Sequence, residues 1–173
     1  LKFFTKPYYL DVLSNTMFVA GVTTLISVVL GVGMAYALTR YDIRIKRILN
    51  ICIILSLMSP PFIGAYSWIL LFGRSGFVTT KALEWFGWVL PTIYGKWGIV
   101  SVFVCKMFPY VYLFTSGALG SIDSSLEEAA ENLGSTKGYR LFHVTLPLVS
   151  PSILAGAVMV FMSAVSDFGT PML

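Results

Sequence analysis

The sequence predicts an all-α membrane protein, a polytopic helical bundle with four transmembrane helices. Hydrophobic residues make up 57% of the 173 positions and charged residues only 12%, which is about half the charged fraction of an ordinary soluble domain. The apolar residues form four long stretches that are continuous rather than alternating, and this pattern favours helices over the strands of a membrane barrel. The composition therefore excludes a soluble enzyme and a disordered segment.

Each of the four stretches is long enough to cross a bilayer, for which about 20 apolar residues are needed. The predicted spans are 17–38, 48–72, 98–119 and 148–166. The second contains Pro60 and Pro61, and the third contains one charge, Lys106. Because the chain begins at Leu1 without a methionine and ends in an apolar context, we expect it to be part of a longer polypeptide.

The basic residues predict the orientation, because short cytoplasmic loops carry an excess of Lys and Arg. The loop at 39–47 holds four basic residues in nine positions, whereas the segment at 73–97 holds three in 25. We therefore expect 39–47 inside and 73–97 outside. All four tryptophans lie between positions 68 and 97, as at one membrane interface. Within this region, 76–90 has the pattern of a short interfacial helix that ends before Pro91.

The most polar segment is the loop at 120–147, which we call the coupling loop and which falls on the predicted cytoplasmic side. Two serines near its start each precede a glutamate by three residues, the spacing of a capping box. Gly134 is a suitable helix end. We predict a surface helix between these signals, small on one face and acidic on the other. A second short helix over 136–144, closed by Pro147, follows it.

The spacing within the coupling loop carries a family resemblance. The pattern EAA-x3-G-x9-I/V-x-LP is matched by Glu128, Ala129, Ala130, Gly134, Leu146 and Pro147. This pattern is typical of the permease subunits of binding-protein-dependent ABC importers, and the chain resembles their MetI-like membrane domains over residues 15–173.

This resemblance implies a multi-pass permease in the inner membrane of a bacterial cell, with no catalytic centre, metal or cofactor. The six matching residues would be ATPase-coupling residues, because the family's loop docks into a groove of a cytoplasmic ABC ATPase dimer. The other implied partners are an extracytoplasmic solute-binding protein, a second permease subunit or half, and membrane lipid. No G-x4-G-K-S/T motif occurs in the chain, so the nucleotide is expected on another subunit. Truncating Glu128 should weaken docking, and Gly134→Asp should uncouple transport more severely.

Lys106 and Asp167 are the candidate pathway residues. A charge inside a membrane span indicates a functional path by default. An equally good interpretation of Lys106 is a structural role, in which its aliphatic chain reaches toward the membrane interface. Asp167 is either an ordinary carboxylate at a helix end or part of an Asp-Phe-Gly-Thr-Pro stretch that resembles ferric-iron importer permeases. That resemblance implies ferric iron as the substrate, with polyamine, thiamine and phosphonate import as alternatives.

Two other classes of function are alternatives to a permease, namely a membrane-embedded enzyme and an ATPase-independent channel. An enzyme needs a nucleophile–base pair or a metal cluster at membrane depth. The chain has a single histidine, His143, in the coupling loop, and its two cysteines lie 53 residues apart. The small number and wide spacing of these residues therefore disfavour an enzyme. A channel stays open on composition alone, but it has no need of an ATPase-docking loop.

Overall fold

The chain forms helices throughout the parts that the structure describes. The computed structural model describes residues 7–41, 43–58, 60–88, 94–122, 130, 132–167 and 169–172. All regular structure in these ranges is helical, so the predicted all-α fold class is confirmed. The helices are α1 Pro7–Arg40, α2 Lys46–Leu57, α3 Pro61–Phe72, α4 Phe77–Phe86, α5 Lys96–Ser121, α6 Lys137–Arg140, α7 Leu146–Ser166 and α8 Gly169–Met172, with a π-helical turn at Leu141–Thr145 between α6 and α7.

Among the described residues, three stretches of helix are long and apolar enough to cross a membrane. They are Tyr8–Arg40, Lys96–Ser121 and Lys137–Ser166. These stretches contain the first, third and fourth predicted spans. The first begins earlier than predicted, because Pro7 stands at the start of α1, where a missing N–H removes no helical hydrogen bond.

The second predicted span, at 48–72, is two helices rather than one. α2 ends at Leu57 and α3 begins at Pro61, and Pro60 before it is extended with φ −58° and ψ 141°. A proline disfavours helical geometry in the preceding residue and has no N–H to continue the hydrogen-bond ladder. Each helix has 12 residues, or about 18 Å. Either one alone is too short for a hydrocarbon core of about 30 Å.

α1, α5 and α7 pack against one another and form the three-helix core. α1 and α5 run in the same direction, because the Lys96 ammonium, at the start of α5, donates a hydrogen bond to the side-chain oxygen of Asn15 in the N-terminal third of α1 (2.6 Å). Leu38 and Leu119, near their last turns, share one buried cluster. α7 runs the opposite way, since Val149, close to its start, lies in the same cluster.

Two glycines let the three core helices approach closely at Val111 of α5, which is completely buried. A Cβ on Gly31 of α1 would lie 2.7 Å from the Val111 Cβ, and a Cβ on Gly156 of α7 would lie 2.9 Å from the Val111 Cα. Side-chain carbons do not approach other atoms this closely without displacing them. Small residues at these two positions therefore set the spacing of the core helices, as they commonly do between membrane helices.

The loop that follows α1 lies at the end of the bundle where α5 also ends and α7 begins. Ile43 and Leu49 pack against the buried cluster at this end. Arg74 and Tyr94, whose guanidinium and ring centroid are 5.7 Å apart, belong to the segment at the opposite end. Because α1 and α5 are parallel, α2 and α3 together carry the chain back across the bundle. This agrees with a topology in which the first loop and the coupling loop share a side. The assignment of that side to the cytoplasm stays a prediction.

A short helix is present in the segment predicted to lie in the outer interface. α4 covers Phe77–Phe86 and ends at Gly87, which adopts the left-handed conformation with φ +65°. Its exposed apolar side chains include Leu83 and Trp85. The helix is shorter than the predicted 76–90 because a left-handed glycine already ends it. The predicted stop at Pro91 lies outside the described residues.

Candidate functional site

The described part of the coupling loop begins with a helix end centred on Gly134. The Ala130 carbonyl accepts a hydrogen bond from the Ser135 N–H (3.1 Å) and another from the Ser135 hydroxyl (2.6 Å). Gly134 lies between them with φ +82°. A hydrogen bond from five residues ahead combined with a left-handed glycine is the Schellman arrangement. The helix end predicted at Gly134 is thus present, and its left-handed geometry favours glycine over residues with a Cβ.

The remaining predicted coupling residues fall into two groups. Glu128 and Ala129 lie outside the described residues. Leu146 is half-buried and packs against the buried cluster where α1 and α5 end, while Pro147 is exposed. The structure therefore brings Ala130 and Gly134 together in one turn. It places Leu146 in the packing of the bundle rather than on the outer surface of the loop.

A shallow concave surface of about 450 Å³ lies beside this turn, and we call it the loop surface. It is lined by Ala130, Leu133, Gly134, Ser135, Thr136 and Tyr139. Leu133 is 89% exposed, and Tyr139 and the nearby Phe142 are also more than half exposed. Grouped apolar side chains in a polar loop are typical of a contact surface. Tyr139 and Phe142 were not predicted as contact residues, although their spacing of three residues places them on one helical face.

The coupling loop joins α7 through a widened helical turn. α6 begins where the Thr136 hydroxyl accepts the Tyr139 N–H (3.3 Å). The Leu146 N–H then bonds to the Leu141 carbonyl, five residues earlier instead of four. This wider turn accommodates Pro147, whose ring would clash with the carbonyl four residues before it in a regular α-helix. The prediction that Pro147 closes a separate short helix is therefore wrong, since the helix continues into α7.

Lys106 and Asp167, predicted separately, contact each other. The Lys106 ammonium donates to one carboxylate oxygen of Asp167 at 2.7 Å. The second carboxylate oxygen accepts the Thr170 N–H at 2.9 Å. The side chain of Asp167 is 9% exposed and that of Lys106 is 25% exposed. Asp167 thus fixes the turn that leads into α8 and also ties it to α5. The partners are 61 positions apart in sequence, so neither one predicts the other.

A cavity of about 340 Å³ lies between α3 and α5, where α2 gives way to α3. Its lining includes Ser56, Pro60, Gly64, Ser67, Cys105 and Lys106. Non-helical backbone at membrane depth is tolerated only where protein or a water-filled space surrounds it. The interruption in the second span at Pro60 therefore lies at the wall of this cavity. Across the described ranges, no three His, Cys, Asp or Glu side chains gather as a metal site would require.

Over residues 27–171 the chain matches the family described as binding-protein-dependent transport system inner membrane component. It is 30% identical, over 173 residues, to a putative ferric transport system permease of Haemophilus influenzae, and the match covers 99% of this chain and 27% of that relative. A ferric transport system permease of Actinobacillus pleuropneumoniae is 31% identical over 168 residues, which is 96% of this chain and 24% of the relative. The chain thus spans about a quarter of the length of both.

A molybdenum transport system permease of Escherichia coli K12 is equally similar. It is 31% identical over 166 residues, and the match covers 95% of this chain and 71% of that relative. The relatives therefore share a transport role in their names but differ in the ion that they carry.

Proposed function

We propose that this chain, which belongs to the family of binding-protein-dependent transport system inner membrane components, is a permease subunit of an ATP-driven ABC importer and forms part of its translocation path. With its three apolar helices, it is a multi-pass protein of the inner membrane. In this proposal the chain itself hydrolyses nothing. A cytoplasmic ATPase dimer supplies the energy, a solute-binding protein delivers the substrate, and a second permease subunit or half completes the path.

The observation that carries the proposal is the Schellman turn at Gly134, at the glycine position of the EAA pattern. This turn presents the loop surface, with its exposed Leu133 and Tyr139, at one end of the bundle. A short helix and an apolar hollow are suited to docking against a groove of a partner protein. We assign that partner as the ATPase. Glu128 would pair with one of its basic residues, and Ala129 and Ala130 would allow close approach.

The connection between the loop and the membrane suits mechanical coupling. α6, the π-helical turn and α7 form one stretch of 30 residues from Lys137 to Ser166. α7 packs against both α1 and α5. A displacement applied at the loop by a closing ATPase is therefore applied directly to the end of a core helix. In this proposal the movement turns the bundle between inward-open and outward-open states.

Lys106, Asp167 and the cavity beside them are proposed to lie on the translocation path. An intramembrane ion pair next to an interrupted helix is typical of a functional rather than a lipid-facing position. Because the carboxylate oxygens of Asp167 are held by Lys106 and Thr170, Asp167 is engaged within the protein in this conformation. A substrate contact with Asp167 would require that ion pair to open.

Ferric iron is our first candidate substrate. The two ferric relatives are similar over 96% or more of this chain, and the Asp-Phe-Gly-Thr-Pro stretch resembles such permeases. Molybdate is the second candidate, because the molybdenum permease is equally similar and is matched over much more of its own length. Polyamine, thiamine and phosphonate import are further alternatives.

Uptake by cells from which the chain has been deleted tests this proposal. We expect deletion to abolish high-affinity uptake of radioactive iron, and re-expression of the chain together with its partner subunits to restore it. Molybdate, a polyamine, thiamine and a phosphonate are measured in parallel, and loss of molybdate uptake alone would select the second candidate. Uptake that persists when the partner ATPase carries an inactive nucleotide site would contradict an importer and favour a channel.

A further inference from the structure

The bundle has a tightly packed part and a loosely packed part. The core helices α1, α5 and α7 meet at Val111 with no space for an additional Cβ at Gly31 or Gly156. α3, in contrast, buries only Ala65 among the side chains described for it. It packs against α4, α5 and α8, and it is separated from α2 by the interruption at Pro60. α3 is therefore held against α5 less tightly than α1 and α7 are.

The Lys106–Asp167 ion pair joins these two parts. Lys106 belongs to α5, and Asp167 caps the turn into α8, which packs against α3. By contrast, the ion pair Lys81–Glu84 lies within α4 and is exposed. An ion pair that is largely removed from water holds firmly only while both partners are in place, because the loss of one leaves an uncompensated buried charge. The position of α8, and of α3 against it, thus depends on this contact.

Three polar side chains that line the cavity are already engaged within the protein. The Ser56 hydroxyl donates to the Ile53 carbonyl (2.8 Å), and the Ser67 hydroxyl donates to the Ile63 carbonyl (2.7 Å). The Lys106 ammonium is held by Asp167. These three groups are therefore held by the protein, and a ligand in the cavity would have to displace one of these bonds to reach them. Space of this kind beside a loosely packed helix is suited to movement of that helix.

We infer that the Lys106–Asp167 ion pair is a latch that holds α8 and α3 against α5, sets the width of the cavity, and opens during the transport cycle. This inference rests on the proposed function, because only a transport cycle requires the cavity to change width. Opening the latch frees both the ammonium and the carboxylate at the cavity wall. The same event thus widens the cavity and changes the charge that it presents.

Cross-linking across the cavity tests the latch. Cys105 and Ser67 both line it, both are exposed, and Ser67→Cys is nearly isosteric. In a Cys52→Ser background, the assembled complex in native membranes is treated with short and long bifunctional thiol reagents. We expect the short reagent to bridge Cys105 and position 67 in the parent. Asp167→Asn and Lys106→Gln should each lower that yield severalfold while the long reagent still reacts.

Three controls isolate the ion pair. Asparagine at position 167 still accepts the Thr170 N–H, so Asp167→Asn removes the charge and keeps the cap. Lys106→Arg keeps the charge and should retain the parent yield. Lys81→Gln breaks the exposed pair in α4, whose nitrogen–oxygen distance is also 2.7 Å, and should change nothing. A monofunctional thiol reagent corrects for altered reactivity of Cys105 beside Lys106.

The cross-linking yields test the latch, whereas the uptake measurements test the proposed function. Parent yields in both Asp167→Asn and Lys106→Gln, or equal losses in Lys106→Arg and Lys106→Gln, would overturn the latch. Trapping the ATPase with nucleotide should lower the short-reagent yield in the parent, and an unchanged yield would overturn opening during the cycle. If uptake by the parent is intact in either of these cases, the importer assignment stands and only the latch is lost.

Discussion

Replacing Gly134 with valine should reduce substrate uptake by at least about fivefold while the chain still folds and inserts. The left-handed conformation at this position, φ +82°, costs an L-residue roughly 1–2 kcal/mol. A difference of that size changes the population of the native turn by a factor of about 5–30. The Ala130 carbonyl would then lose its bonds from Ser135, and the loop surface would lose its shape. Uptake per membrane-inserted chain is the measurement.

A series of substitutions at Gly134 distinguishes the effect of backbone strain from the effect of a steric clash. A Cβ on Gly134 would meet no atom within 4 Å, so the backbone angle and not a clash sets the effect. Asparagine tolerates the left-handed region better than other residues do, so Gly134→Asn should retain most uptake. Gly134→Asp should fall between the two. Equal uptake in the valine and asparagine variants would show that this turn has no part in coupling.

Alanine at Gly156 or Gly31 should destabilise the bundle more than alanine at Gly21, Gly33, Gly117 or Gly120, where an added Cβ meets no atom within 4 Å. The added Cβ would lie 2.9 Å from the Val111 Cα or 2.7 Å from the Val111 Cβ, so α7 or α1 must move away from α5. Overpacking of this kind costs about 1–3 kcal/mol. For a protein of this size that corresponds to a fall in Tm of roughly 3–10 °C, measured by thermal unfolding in detergent.

Gly33→Ala and Gly21→Ala are the matched controls, because a Cβ at either position meets no atom within 4 Å. Alanine raises the intrinsic helix propensity by about 1 kcal/mol at every one of these positions. The difference in Tm between Gly31→Ala and Gly33→Ala, both in α1, therefore reports the clash alone. If the two variants unfolded at the same temperature, the close approach at Val111 would not be a feature of the folded chain.

Much of the architecture could be predicted from the sequence, because a long apolar stretch without charges predicts a membrane-spanning helix. The helical class and three of the four spans follow from length and the lack of charge. The second span was predicted as one helix interrupted in sequence by Pro60 and Pro61, and its break into two separate helices was not predicted. Hydropathy counts apolar residues and ignores the missing N–H groups that end a helix. A rule that gave two adjacent prolines priority over hydropathy would have found it.

The site was only partly predictable, for a different physical reason. Gly134 could be placed because a helix end depends on nearby residues and on one permissive backbone position. The Lys106–Asp167 contact depends on how α5 and α7 pack, and that packing is set at Val111 by residues that carry no charge. Likewise, Tyr139 and Phe142 are exposed because α6 continues into α7 through a widened turn, a geometry that Pro147 alone does not reveal.

Docking of the coupling loop on a cytoplasmic ATPase is tested most directly by affinity purification of the tagged chain from its own membranes. Under mild detergent, mass spectrometry should identify an ABC ATPase that co-elutes with the parent and with Gly33→Ala. It should be present in much smaller amount with Gly134→Val at equal recovery of the chain. An ATPase absent from the parent, or equally abundant with Gly134→Val, would contradict this docking.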